Sequence, residues 1–190
     1  TPMEAELHRP GLPDGPLASL SHARTAVAQR ERPCLTGTYG LYHTCTGATS
    51  DPSKPNPGPT CDSTTSSTSS DREVFTLTTS IMAVAEGALG RLGAGHMPRY
   101  TDDNAAVQLD PSVWELPGAM PEISPSPDFG TNIDRLFTER SMALQAWGTY
   151  GVLWPVVHYE LGIAPDIGRG RLAVVPQIPV HQSRVSATHV

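Results

Sequence analysis

Residues 71–95, DREVFTLTTSIMAVAEGALGRLGAG, decide the fold. Their apolar side chains recur at steps of three and four residues, which places them on one face of a helix. Asp71 is a residue type that caps helix N-termini, and Gly93 and Gly95 are expected to end the helix. The stretch therefore predicts an amphipathic helix. Its apolar positions are Val74, Leu77, Ile81, Met82, Val84, Ala85, Ala88, Leu89 and Leu92.

Similar reasoning locates helices on both sides of this stretch. A weaker one is predicted around Leu20 to Arg32, where Ala and Arg are frequent but the apolar face is thin. A second clear helix is predicted from about Asn132 or Asp134 to Tyr150. A third runs from about Val152 to Leu161, with Pro155 near its first turn and Gly162 as the residue that ends it.

These elements predict a mainly α protein made of antiparallel helical hairpins, with long Pro/Gly loops and a short C-terminal strand near Leu172–Val175. The apolar faces are wider than three helices can bury among themselves, so we expect part of a larger helical array, incomplete as a folding unit. We expect a loop-rich segment at 1–70, a helical domain at 71–179 and a tail at 180–190.

Charge and hydropathy exclude several classes of protein. The 190 residues carry 13 basic and 19 acidic side chains, a net charge of −6, with no basic stripe. A simple nucleic-acid binder needs such a stripe to neutralise phosphates. No segment approaches the ~20 apolar residues of a membrane span, so we expect neither nucleic acid nor a membrane span.

The three cysteines, Cys34, Cys45 and Cys61, lie close together in the sequence. An unbroken Ser/Thr run follows at Ser63–Ser70 and indicates a flexible surface loop. A Cys34–Cys45 or Cys45–Cys61 disulfide is as plausible as none, and zinc is less so because no CxxC occurs. A disulfide would indicate a secreted or cell-surface protein. Residues 1–16 hold no apolar run typical of a signal peptide, which favours a mature form or an internal fragment.

Short motifs in the second half of the chain suggest a family. They are LPGAMPEI at 116–123, QAW at 145–147, LGIAPD at 161–166, RLAVVP at 171–176 and IP at 178–179. Their order resembles the C-terminal part of the six-hairpin glycosidases, the (α/α)6-barrel enzymes that include glucoamylases and the glucosidase domain of glycogen debranching enzymes. The match covers roughly 76–179 and is best over 120–179. It implies part of an (α/α)6 toroid, with about half of the helices of a full one.

The resemblance implies that Glu122 is a catalytic base. An inverting glycosidase uses one carboxylate to deprotonate water and a second carboxyl, about 6.5–9.5 Å away, to protonate the leaving oxygen. Pro121 and Pro125 flank Glu122 and restrict its backbone. The family's acid comes from an earlier hairpin, so the missing N-terminal part of the protein is the expected partner. This chemistry needs no metal and no cofactor. The alternative is that Glu122 is an ordinary solvated loop acid.

Other residues are candidates for contact with a carbohydrate substrate. Aromatic faces stack on pyranose rings, and polar side chains form hydrogen bonds with sugar hydroxyl groups. The candidates for sugar subsites are Trp114, Gln145, Trp147 and His43. Trp147 is as readily a core residue and His43 an exposed loop residue. Asp102 and Asp103 are interpreted as wall residues, a helix cap or a sugar contact. Trp154 is predicted to be core.

Glu139 is an alternative base, although a helical acid one turn after Arg135 is more often a surface pair. The sequence thus predicts a glycoside hydrolase acting on α-glucosidic bonds, of the glycogen-debranching or glucoamylase type, as part of a longer chain and inactive alone. The rival hypotheses are a non-catalytic carbohydrate-binding module and a structural helical module.

Overall fold

In a computed structural model of the chain, the structure describes residues 6–7, 15–16, 18–33, 35–42, 74–111, 116–124, 142, 144–178 and 182–188. The α-helices in this part are α1 Leu20–Arg30, α2 Thr76–Ala88, α3 Met97–Leu109 and α4 Tyr150–Pro155. The strands are β1 Glu6–Leu7, β2 Gly15–Pro16, β3 Thr36–Gly37, β4 Gly40–Leu41, β5 Val74–Phe75, β6 Ile123–Ser124, β7 Ile163–Asp166 and β8 Arg171–Val174. Successive pairs, from β1–β2 to β7–β8, form small antiparallel sheets. The described part is therefore mixed, with helices dominating.

Helix α2 is the predicted helix of residues 74–92, but both of its ends are shorter than the sequence indicates. Val74 and Phe75 pair with Ser124 and Ile123 as strands β5 and β6, so the helix begins only at Thr76. It ends at Ala88, and the chain turns at Gly90, whose φ of +70° is left-handed. The expected stop at Gly93 and Gly95 is thus wrong, because an earlier glycine already provides the turn. Asp71 lies outside the described residues.

Helices α2 and α3 fold back on one another across this turn. Met97 N–H donates to Arg91 O (3.2 Å) at the closed end, and Asn104 Nδ2 donates to Ser80 Oγ (2.9 Å) further along. This confirms an antiparallel helical hairpin. Its core is a cluster of apolar side chains from α1, α2, α3 and strand β4. The members are Val27, Leu41, Met82, Ala83 and Tyr100.

The second predicted helix is wrong where the structure describes it. Residues 125–141 lie outside the described part, and Leu144 and Gln145 are not helical. Gln145 is extended, with φ −127° and ψ 102°, and a 3-10 turn follows at Ala146–Thr149. Gln145 N–H donates to Met120 O (2.8 Å), so a contact with a distant loop replaces the helical hydrogen bond.

The third predicted helix is confirmed in outline. Helix α4 continues into a π-helical turn at Val156–Glu160, where Leu161 N–H donates to Val156 O (2.9 Å). Pro155 has no N–H to give to the α-helical ladder, which explains a change of hydrogen-bond pattern at this point. Gly162 ends the segment with a left-handed φ of +64°, as expected. The predicted strand at 172–175 is β8.

Trp154 is not the core residue that the sequence suggests. It is 39% exposed, and its ring stacks on His158 with a centroid distance of 3.8 Å. The three cysteines and the Ser63–Ser70 run lie outside the described residues. In the part of the chain that the structure describes, no helix has the length and apolarity needed to cross a membrane.

A buried polar network ties α2, α3 and the segment before α4 together. Asn104 Nδ2 donates to Ser80 Oγ (2.9 Å) and to Gly148 O (2.8 Å). Ser80 Oγ lies within hydrogen-bond distance of Thr76 O (2.7 Å) and Gly148 O (2.9 Å). Asn104, Ser80 and Thr76 are fully buried. A buried donor that loses its partner costs more than the bond itself contributes, so this network fixes how the three segments meet.

We expect Asn104→Ala to lower the free energy of unfolding by about 2 kcal/mol, because it removes two buried hydrogen bonds and leaves a small cavity. Thermal or urea unfolding followed by circular dichroism measures the change. Asp102→Ala is the matched control: it lies two residues away on α3, its side chain is exposed, and the substitution should change stability by less than about 0.5 kcal/mol. Equal effects of the two substitutions would contradict a stabilising role for the network.

Candidate functional site

The loop that carries Glu122, residues 116–124, is held by backbone hydrogen bonds on three sides. At its start, Gly118 N–H donates to Gln108 O at the end of α3 (2.7 Å). At its end, Thr76 N–H donates to Glu122 O (3.2 Å) and Thr76 Oγ1 donates to Pro121 O (2.7 Å). Strand β6 then pairs with β5. The loop is thereby fixed to the beginning of α2.

The third side of the Glu122 loop is the segment around residues 142–145. Glu122 N–H donates to Met142 O (3.0 Å), and Gln145 N–H donates to Met120 O (2.8 Å). Gly148 lies below the loop, where an added Cβ would be 2.7 Å from Met120 Cγ. Pro125 lies outside the described residues. Hydrogen bonds and this close packing therefore position the loop, in addition to the flanking proline at 121.

The side chain of Glu122 is half-buried. Its Oε2 accepts a long hydrogen bond from Met142 N–H (3.4 Å). Among the described residues no other hydrogen-bond donor reaches the Glu122 carboxyl group, so Oε1 has no donor in this part of the chain.

Aromatic and amide side chains lie beside the Glu122 loop. Trp147 is 40% exposed, so the interpretation of Trp147 as a core residue is wrong. Its ring meets that of Phe75 edge to face, with centroids 6.1 Å apart and an interplanar angle of 71°. The half-buried Gln145 precedes it, two residues from Trp147. The structure therefore brings Glu122, Gln145 and Trp147 to the same end of α2.

Asp102 and Asp103 lie elsewhere, on α3. Asp102 is exposed, and Asp103 Oδ2 lies 3.5 Å from Arg99 Nε. Arg99 also donates to Gly37 O (3.1 Å), which directs this group toward the β3–β4 hairpin. Asp103 and Arg99 thus form an ion pair within α3. The other candidates, Trp114, His43 and Glu139, lie outside the described residues.

A charged cluster around the buried Glu86, at the opposite end of α2, was not predicted from the sequence. It consists of Glu31, Glu86, Arg91 and His96, and we call it the Glu86 cluster. Arg91 Nη2 donates to Glu31 Oε2 (2.7 Å) and Oε1 (2.8 Å) and lies 3.0 Å from His96 Nδ1. Arg91 Nε lies 3.1 Å from Glu86 Oε2, and Glu86 is fully buried. The sequence signal was an acid at position 86, one turn after Met82 on the apolar face of α2.

Opposite pKa shifts follow from this geometry. Burial, as the largest cause, and the neighbouring Glu31 carboxyl together raise the pKa of Glu86 to about 8, while Arg91 opposes the rise. Burial also acts to raise the pKa of Glu31, but hydrogen bonds with Arg91, Glu86 and His96 outweigh it and lower that pKa. The two carboxyl groups therefore hold one proton between them at neutral pH, and Glu86 carries it.

The Glu86 cluster contains donor atoms of the kind that bind metal ions. Glu31, Glu86 and His96 bring oxygen and nitrogen atoms within 4.8 Å of one another, a donor set that suits several divalent metals. The guanidinium of Arg91 lies among these atoms, at 2.7–3.1 Å, and supplies the positive charge itself. The cluster is therefore an internal ion pair with a permanent cation, and a metal ion does not fit. It lies about 15 Å from the Glu122 loop, ten residues along α2.

A cavity of about 480 Å³ lies between α1 and α2. Alanines of both helices line it, together with Val27, Ile81 and Met82, and it belongs to neither the Glu122 loop nor the Glu86 cluster. Comparisons of the chain with protein-family models, with curated proteins and with solved structures found no match. Function must therefore be argued from the residues and from the geometry of the site.

Proposed function

We propose that the chain is the base-bearing part of an inverting glycoside hydrolase that acts on α-glucosidic bonds. The observation that carries this proposal is the Glu122 carboxyl group. It is half-buried, it has one oxygen without a hydrogen-bond donor among the described residues, and it lies on a loop fixed to α2 and to the segment at 142–145. A base must be held in place and must still reach water, and this arrangement meets both conditions.

The neighbours of Glu122 fit a carbohydrate ligand. Trp147 exposes 40% of its surface beside the loop and can stack on a pyranose ring, while Phe75 supports it edge to face. Gln145 is part of the same segment and offers an amide to hydroxyl groups. Together these groups offer one aromatic face and two polar side chains, the residue types that carbohydrate sites use.

The proposed reaction also needs an acid. Inversion requires a second carboxyl about 6.5–9.5 Å from the base, and no carboxyl group of the described residues contacts Glu122. In our proposal an earlier helical hairpin of a longer chain contributes that acid and completes a toroid of hairpins to which α2, α3 and α4 belong. Glu122 deprotonates the water, the water oxygen bonds to the anomeric carbon, and the acid protonates the departing oxygen.

The test is hydrolysis of maltooligosaccharides, which have α-1,4 bonds, and of isomaltooligosaccharides, which have α-1,6 bonds, by the longest natural form of the protein. Proton NMR identifies the anomer of the first product. Inversion of an α-bond yields the β-anomer first, before mutarotation. Appearance of the α-anomer first would contradict an inverting mechanism. Absence of hydrolysis of both α-1,4 and α-1,6 linkages would overturn the proposal.

A second candidate is a carbohydrate-binding module without turnover. The exposure of Trp147 favours it, since stacking needs no acid partner. Isothermal titration of the 190-residue chain with maltooligosaccharides separates the two proposals. Binding that Trp147→Ala abolishes, combined with no hydrolysis by any natural form, would favour the binding module.

A further inference from the structure

We propose that protonation of Glu86 stabilises the docking of helix α1 onto the α2–α3 hairpin. Helix α1 is therefore held most firmly in mildly acidic solution, and its attachment weakens as the pH rises toward neutrality. This device is independent of Glu122 and of the proposed hydrolase activity, because the two sites lie at opposite ends of α2.

Helix α1 buries little of its surface against the rest of the chain. Among its residues only Val27 is buried, and the cavity of about 480 Å³ separates much of it from α2. Thr36 Oγ1 donates to Arg30 O (2.8 Å) at its last turn. The residue that caps this end is Glu31, so the Glu86 cluster holds the C-terminal end of α1. Any change of charge within the cluster acts on that attachment directly.

The geometry favours a proton in the cluster. Neither oxygen of Glu86 forms a hydrogen bond as an ionised group, although Arg91 Nε lies 3.1 Å from Oε2. The carboxyl groups of Glu31 and Glu86 lie within 4.8 Å of each other, so a proton on Glu86 removes the repulsion between two carboxylates. One guanidinium then neutralises one carboxylate, and no net charge is buried. Loss of the proton leaves two carboxylates facing each other with a single permanent cation.

The other ionisable groups around Glu86 do not supply this pH dependence in the same way. Helix α3 contributes the buried phenol of Tyr100, and the π-helical turn contributes Tyr159, whose ring lies against Gly87. Phenols titrate ordinarily near pH 10. His96 Nδ1 lies 2.7 Å from Glu31 Oε1 and 3.8 Å from Glu86 Oε1, so it needs its own control.

The direction of the pH dependence follows from the thermodynamic linkage between proton binding by Glu86 and the docking of α1. Burial and the Glu31 carboxyl group raise the pKa of Glu86 to about 8 from its ordinary 4.5, and the contribution of Glu31 is lost when α1 leaves. Glu86 therefore binds its proton more tightly when α1 is docked, and docking weakens as the pH rises toward about 8. Glu31 has the opposite shift and acts below pH 4.5, where protonating it weakens docking. Attachment of α1 is consequently strongest near the lower end of the window.

Hydrogen exchange of the 190-residue chain, measured by mass spectrometry between pH 4.5 and 8, tests whether the docking of α1 depends on pH in this way. After correction for intrinsic exchange, protection of α1 should fall by up to about tenfold per pH unit, while that of α3 stays nearly constant. Glu86→Gln mimics the protonated acid and should make α1 protection independent of pH. A flat wild-type profile, an equal slope in α3, or an unchanged slope in Glu86→Gln would each overturn the proposal.

Two further variants keep the proposal testable if Glu86→Gln does not fold. Glu31→Gln removes the carboxylate that repels an ionised Glu86, so the slope should become shallower. His96→Gln should retain the wild-type slope. If His96→Gln abolishes the slope and Glu86→Gln preserves it, the histidine senses pH and the proposed role of Glu86 is wrong.

Discussion

Hydrolysis by the longest natural form of the protein should fall by about 10²–10⁴-fold when Glu122 is replaced by glutamine, because an amide cannot accept the proton of the attacking water. The substitution preserves the size of the side chain, and the amide oxygen can still accept from Met142 N–H. The loop should therefore stay in place and the melting temperature should change little. The loss should appear in kcat/KM for maltooligosaccharides, measured as released glucose.

Two measurements separate loss of a base from loss of structure. Asp102→Asn is the matched control, since it also exchanges a carboxylate for an amide but lies exposed on α3, and it should retain full activity. Azide is already a nucleophile and needs no base, so it should restore glycosyl transfer by Glu122→Gln and give a β-glycosyl azide. Activity of Glu122→Gln within about threefold of wild type would remove Glu122 from the mechanism.

The repeating apolar pattern predicted α2 because helix formation there depends on neighbours three and four residues away. Its first turn was misplaced because Val74 and Phe75 give their backbone groups to residues nearly fifty positions later. No local pattern contains that pairing. The same reason explains the failure at Leu144 and Gln145, where the apolar spacing favours a helix but Met120 O takes the hydrogen bond of Gln145 N–H.

The candidate site shows the same division between local and distant causes. The sequence predicted a fixed loop acid at Glu122, and the structure shows such a loop, held largely by Thr76 and Met142. It left Trp147 open between a sugar subsite and a core residue, because an aromatic residue in an apolar pattern is typical of a core, and the folded chain leaves 40% of it exposed. It also missed the Glu86 cluster, since only the folded chain brings Glu31 within reach of a residue 55 positions later.

Gly151→Ala should be the most disruptive change of a single methyl group within the described helical core. An added Cβ would lie 2.5 Å from Ser80 Oγ and closer still to the Ser80 backbone. Ser80 cannot move aside, because Asn104 and Gly148 hold its hydroxyl. Helix α4 must therefore shift away from α2 and break the network, at a cost of about 3 kcal/mol. A chain of this length should then melt on the order of 10 °C lower.

Calorimetry or thermal circular dichroism measures this loss, and Gly95→Ala is the control. An added Cβ at Gly95 meets no atom within 4 Å, so its melting temperature should remain close to that of wild type. Ser80→Gly combined with Gly151→Ala should restore little, because the backbone of residue 80 is the nearest obstacle and remains. A melting temperature of Gly151→Ala equal to that of Gly95→Ala would show that α4 does not pack against α2 at Ser80. A shift of α4 in Gly151→Ala should also loosen the Glu122 loop, because Gly148 and Gln145 lie just before α4 and contact Met120 of that loop.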